Sequence, residues 1–87
     1  MAKLRERFVA RSHVDRTGLT SAFAAGDRAE LRRIAHSLSG AGGLFGFPII
    51  SALAAELEQA IDQGEHGCEL QARLDALTSE LERLRQW

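Results

Sequence analysis

The chain is 87 residues long, 45% hydrophobic and 26% charged, with a formal net charge of −1. That composition can build one small core, is far from that of a disordered tail, and lacks the basic surplus of a dedicated nucleic-acid binder. A single cysteine, Cys68, excludes an internal disulfide or a cysteine-rich metal centre and suits a cytoplasmic protein; no apolar run approaches the roughly 18 residues of a membrane span, and no secretory h-region is expected.

No alternating strand pattern or Asn-Gly turn occurs, tyrosine is absent and there is one proline. Four helical segments account for nearly all of the chain. The first is expected over about Lys3 to Ala25, anchored by Leu4, Phe8, Leu19 and Phe23. Its polar middle, Ser12 to Gly18, leaves room for a break near Thr17-Gly18. Gly26-Asp27 reads as a stop followed by a start, with Asp27 as N-cap and Glu30 three residues on completing a capping-box-like pair. The second helix ends near Gly46. Pro48 forces the next start, because proline is tolerated at the first helical position and its predecessor avoids helical torsions. The third helix runs to about Gln63 with Ile49, Ile50, Leu53, Leu57, Ala60 and Ile61 as its stripe. Gly64 and Gly67 bracket the last connection. The fourth helix spaces Leu70, Leu74, Leu77, Leu81 and Leu84 in a 4-3-4-3 row. Such a row serves either a coiled-coil seam between two copies or the fourth wall of a bundle. Short connections favour the wall, so the expectation is a monomeric, all-α, antiparallel up-down-up-down four-helix bundle forming one domain over 1–87.

The second helix carries the most informative pattern. With His36 as origin and about 100° per residue, Leu31, Ile34, Leu38, Ala41 and Phe45 fall within roughly 40° of the opposite direction. The histidine's own face holds Arg32 and Arg33 one turn before it, then Ser39, Gly40 and Gly43. An interior glycine costs a helix about 1 kcal/mol relative to alanine, yet Gly40, Gly42, Gly43 and Gly46 crowd this stretch. Bare backbone permits close approach, here by something that must reach His36. His13 and His66 lack such surroundings and read as solvated side chains. The Gly-Ala-Gly-Gly-Leu-Phe-Gly run at 40–46 does not fit a dinucleotide fingerprint, which follows a strand, nor a phosphate-binding loop, which ends in lysine.

Phe47 marks the turn between the second and third helices, with His36 eleven residues before it and Glu58 eleven after it. In an antiparallel hairpin the two stand at about the same height, although the helical wheel sets Glu58 at the outer edge of its helix. A carboxylate accepting from one ring nitrogen fixes the tautomer and leaves the other nitrogen free as a nucleophile.

The stretch from Ala35 to Gly46, with Leu53 and the Leu57-Glu58 pair, resembles a histidine phosphotransfer (HPt) domain. That family's signature is a histidine, a leucine two on, then lysine-glycine, a further small residue and a glycine ten after the histidine. His36, Leu38, Gly40, Gly43 and Gly46 match it, and Ser39 stands where the family usually has lysine. The resemblance implies that His36 takes a phosphoryl group from a receiver-domain aspartyl phosphate and passes it to another receiver aspartate in two-component signalling. The chain is then a phosphocarrier and not an enzyme in its own right. Response-regulator receivers, together with a hybrid histidine kinase, are its partners, and Mg²⁺ belongs to the receiver. No cofactor or metal is expected in this chain, and no nucleic acid or membrane partner. Arg32 and Arg33 are expected to supply the charge that the missing lysine does not. Gly40, Gly43 and Phe47 are expected on the docking face. The alternatives are a degenerate adaptor that binds a receiver without transfer, and a helical dimerisation module.

Overall fold

The computed structural model describes the backbone of residues 2–84 and the side chains of residues 6–84. Within them the chain forms four helices, α1 (Ala2–Ala25), α2 (Arg28–Leu44), α3 (Pro48–Asp62) and α4 (Gly67–Arg83), and no strand. No helix among the described residues is long and apolar enough to cross a membrane.

The polar middle of α1 does not break. The hydroxyls of Thr17 and Thr20 fold back onto their own helix, donating to the carbonyls of His13 at 3.1 Å and Arg16 at 3.0 Å. Buried Ser12 does the same toward Val9. Gly18 has a packing role, since a Cβ there would stand 3.0 Å from Cδ1 of Ile34 on α2. Of the expected α1 anchors, Phe8 and Leu19 are buried and Phe23 is partly so, while the side chain of Leu4 lies outside the described residues.

Asp27 caps α2 by accepting from the Glu30 amide at 3.1 Å. The Glu30 carboxylate does not return to complete the box; it pairs instead with Arg33. Asp27→Ala should therefore lower stability by about 1 kcal/mol, read as a shifted denaturation midpoint with unchanged slope. An unchanged midpoint would mean that the cap contributes nothing. Helix α2 stops at Leu44, two residues earlier than expected. The Phe47 amide reaches back to the Gly42 carbonyl at 2.7 Å through Gly46, whose φ of +85° suits glycine alone. Pro48 then opens α3 at its first position.

Helix α1 packs on α2 and α4, and α3 packs on the same two. Across the α2–α3 contact, linked residues run from Arg28 with Ile61 at one end to Ser39 with Ser51 at the other. The Arg28 guanidinium donates to the Ile61 carbonyl at 3.0 Å near the C-terminal end of α3, where a cation also suits the helix dipole. All five leucines of the α4 row are buried within the chain. They form a wall of this bundle.

Two expected surfaces fall elsewhere. Ile49, assigned to the α3 stripe, is 61% exposed, because Ile50, Ala54, Leu57 and Ile61 set the buried face. Phe47, assigned to the docking face, is only 8% exposed. Its ring stacks on Phe8 with centroids 4.9 Å apart, and Phe8 also meets Phe45 at 5.7 Å. Three aromatic rings thus clasp the first helix to the α2–α3 turn, which takes Phe47 out of any docking face.

Candidate functional site

His36 stands on the outer side of α2 with 72% of its side chain exposed. Leu31, Ile34 and Leu38 are buried behind it, and Ala41 and Phe45 partly so. Ala35 and Gly42 are buried as well, which widens the packed face toward one side. Both lie roughly 100–120° from His36 in the same rotational sense, and α3 occupies that side. A Cβ on Gly42 would stand 3.0 Å from the Ser51 amide nitrogen and 3.2 Å from the Phe47 carbonyl oxygen. Gly42 is thus the residue that lets α3 approach so closely.

This lateral offset divides the residues around the histidine. Arg32 lies about 40° from His36 on the α3 side, while Arg33 lies about 60° away on the other. The Arg32 guanidinium accordingly turns to α3, with Nε 2.6 Å from Asp62 Oδ1 and Nη2 3.1 Å from Glu58 Oε2. Arg33 stays on its own helix, where it too makes a two-pronged pair, Nε to Glu30 Oε1 at 2.5 Å and Nη2 to Oε2 at 2.9 Å. Such exposed pairs between residues three apart hold weakly. Ser39 is half-buried on the α3 side, and its carbonyl accepts the Ser51 hydroxyl at 2.7 Å.

Glu58 sits at the rim of α3, yet only 18% of its side chain is exposed, because it lies in the furrow between the helices. Its Oε2 is 3.0 Å and its Oε1 3.2 Å from His36 Nδ1. An ionised carboxylate only accepts hydrogen bonds, so in the neutral ring Nδ1 carries the proton and Nε2 keeps the lone pair.

One residue of this cluster escaped the sequence reading. Asp62 holds Arg32 in a two-pronged grip, Nε–Oδ1 at 2.6 Å and Nη2–Oδ2 at 3.2 Å. The hydrogen bonds from Arg32 hold the Asp62 carboxyl below the usual carboxylate range against a smaller desolvation, and those from Asp62, with its charge, push the guanidinium up. Asp62 therefore stays ionised down into acid. The signal that finds it is the one that finds Glu58, since Arg32 and Asp62 each lie fifteen residues from Phe47.

The remaining glycines differ in kind. A Cβ on Gly40 would meet nothing within 4 Å, and one on Gly43 would make ordinary contact with Ser51 Oγ at 3.4 Å. Both positions are exposed backbone beside His36. Leu44, two turns along from His36, is 73% exposed. His13 sits on α1 and His66 just before α4, on different elements from His36. Among the described residues no group of three His, Cys, Asp or Glu side chains is placed to hold a metal ion.

A helical protein that presents one imidazole, with a carboxylate behind one ring nitrogen and bare backbone beside it, has the equipment of a nucleophilic carrier. The family model described as the Hpt domain matches residues 3–87, and the chain belongs to that family. No curated protein and no solved structure matches it. Hpt domains are phosphocarriers of phosphorelays and not classical enzymes, and they interact with receiver domains and histidine kinases.

Proposed function

We propose that His36 is the phosphoryl-accepting residue of this chain, carried on a monomeric, cytoplasmic, antiparallel up-down-up-down bundle that acts as one domain over 1–87. The observation that carries this reading is the Glu58 carboxylate at 3.0 Å from Nδ1 of an exposed imidazole. The Nε2 lone pair attacks phosphorus of a receiver's aspartyl phosphate. The P–N bond forms as the acyl-phosphate P–O bond breaks, and the aspartate leaves with the electron pair. Positive charge that builds on the ring is held at the Nδ1 proton by Glu58. The reverse step delivers the group to a second receiver aspartate. Since phosphoryl transfer depends mainly on placement and charge compensation, the bundle needs little more than this, and Mg²⁺ belongs to the receiver. Arg33, which makes no tie to α3, is the guanidinium most readily turned toward the phosphoryl oxygens, while Arg32 is engaged by Glu58 and Asp62. Gly40 and Gly43 admit the partner's loops.

The test is to incubate the protein with a panel of phosphorylated receiver domains and then chase with an unphosphorylated one. An acid-labile, alkali-stable label that appears and then moves on supports the reading. Absence of label with every receiver, while binding persists, replaces it with the adaptor. That second reading draws on Ser39 in the lysine position and on both arginines already facing carboxylates.

Gly43→Leu should slow transfer at least tenfold while leaving the melting curve close to wild type, because the new side chain projects beside His36 and away from the core. Normal transfer by this variant, measured with the same receiver, would remove the close-approach role of the glycine.

A further inference from the structure

Glu58 needs help to do what is asked of it. A glutamate side chain has three rotatable bonds, and a carboxylate at the edge of a helix has several places to go. Here its Oε2 is shared between His36 Nδ1 at 3.0 Å and Arg32 Nη2 at 3.1 Å. Arg32 is equally long and flexible, but Asp62 grips it through both Nε and Nη2. Asp62 lies one turn beyond Glu58 on α3, and Arg32 lies one turn before His36 on α2. Two pairs spaced by four residues thus face each other across the hairpin and close a row, Asp62 to Arg32 to Glu58 to His36.

We propose that Asp62 is a positioning residue for His36. By fixing the Arg32 fork it aims Glu58 at Nδ1 and so holds the imidazole in the tautomer whose Nε2 is the nucleophile. Arg32 acts here through Glu58 and not on the phosphoryl group directly, which leaves Arg33 as the cation for that task. The other charged groups near the row are Glu30 and Arg33 on α2, with Asp15 of α1 acting on Arg33.

This inference rests on His36 being the acceptor, yet its first readout does not require transfer. Ring-nitrogen NMR of the unphosphorylated protein, at a pH where His36 is neutral, reports the tautomer. Wild type should show mainly the Nδ1–H form. Asp62→Ala should shift the population toward Nε2–H and slow phosphoryl acceptance by about threefold to tenfold, with an unchanged unfolding midpoint. Asp62→Glu should restore part of both. Arg32→Gln should reproduce Asp62→Ala, and the double variant should add little to either. Glu65→Ala, which breaks the comparable pair with Arg73 on the far side of α3, should change neither readout. If Asp62→Ala keeps the wild-type tautomer, the positioning role is gone. If Arg32→Gln slows transfer without moving the tautomer, Arg32 works on the phosphoryl group and the inference also fails. If no receiver labels wild type while the tautomer shifts as described, the carrier reading falls and the positioning row stands.

Discussion

Replacing His36 by glutamine is expected to abolish phosphoryl acceptance and to leave the bundle and its receiver binding in place. The imidazole is largely exposed and lies outside the core, so its loss opens no cavity. A glutamine amide can still donate to Glu58, which keeps the carboxylate partnered. It cannot replace Nε2, because the amide nitrogen's electron pair is delocalised into its carbonyl and does not attack phosphorus. The loss in rate should exceed about a thousandfold, the scale seen when a nucleophile is deleted. Label after incubation with a phosphorylated receiver gives the rate, while thermal melting and a binding titration give the controls. Persistent acid-labile label on this variant would place the acceptor elsewhere, with His13 and His66 the next residues to replace.

Gly42→Leu should do the opposite, damaging the fold first and the chemistry only as a result. The added Cβ meets the Ser51 amide nitrogen at 3.0 Å, the Phe47 carbonyl oxygen at 3.2 Å and Ser51 Cα at 3.3 Å, all of them backbone. Backbone in the first turn of α3 cannot rotate aside as a side chain can. The helix must shift outward as a unit, which breaks the Ser51–Ser39 tie and loosens the aromatic clasp around Phe47. Overpacking typically costs about 1–3 kcal/mol, and a collision with three backbone atoms of one helical turn belongs toward the top of that range. For a domain of this size about 3 kcal/mol lowers Tm by roughly 12–24 °C. A melting curve within a few degrees of wild type would mean that α3 has slack not visible in its packing. Set beside Gly43→Leu, the comparison separates two adjacent glycines with unrelated duties, one for a neighbouring helix and one for a visitor.

The legible part of this protein was the part governed by periodicity. The helices begin and end within a few residues of where Asp27, Pro48 and the glycines put them, and the α4 leucines are buried as a row. The rest needed the third dimension. Phe47 looked like an exposed turn residue because its partner, Phe8, is thirty-nine residues away and no local pattern joins them. Ile49 fits the apolar stripe by spacing, but the centre of that stripe is set by which neighbours α3 meets. A wheel centred on His36 treats its two flanks alike, so it grouped Arg32 with Arg33. Only the position of α3 on one flank separates an arginine that crosses to another helix from one that does not. Asp62 stands at the same distance from Phe47 as Arg32, but its own sequence neighbours carry no pattern that marks it.

That lateral offset has one more consequence. The histidine has a handed setting: the Asp62–Arg32–Glu58 row ties one flank to α3, while the other carries Arg33 and the bare backbone of Gly40 and is tied to no neighbouring helix. The asymmetry of that surface traces to the missing side chain of Gly42, which lets α3 close on one flank and not the other.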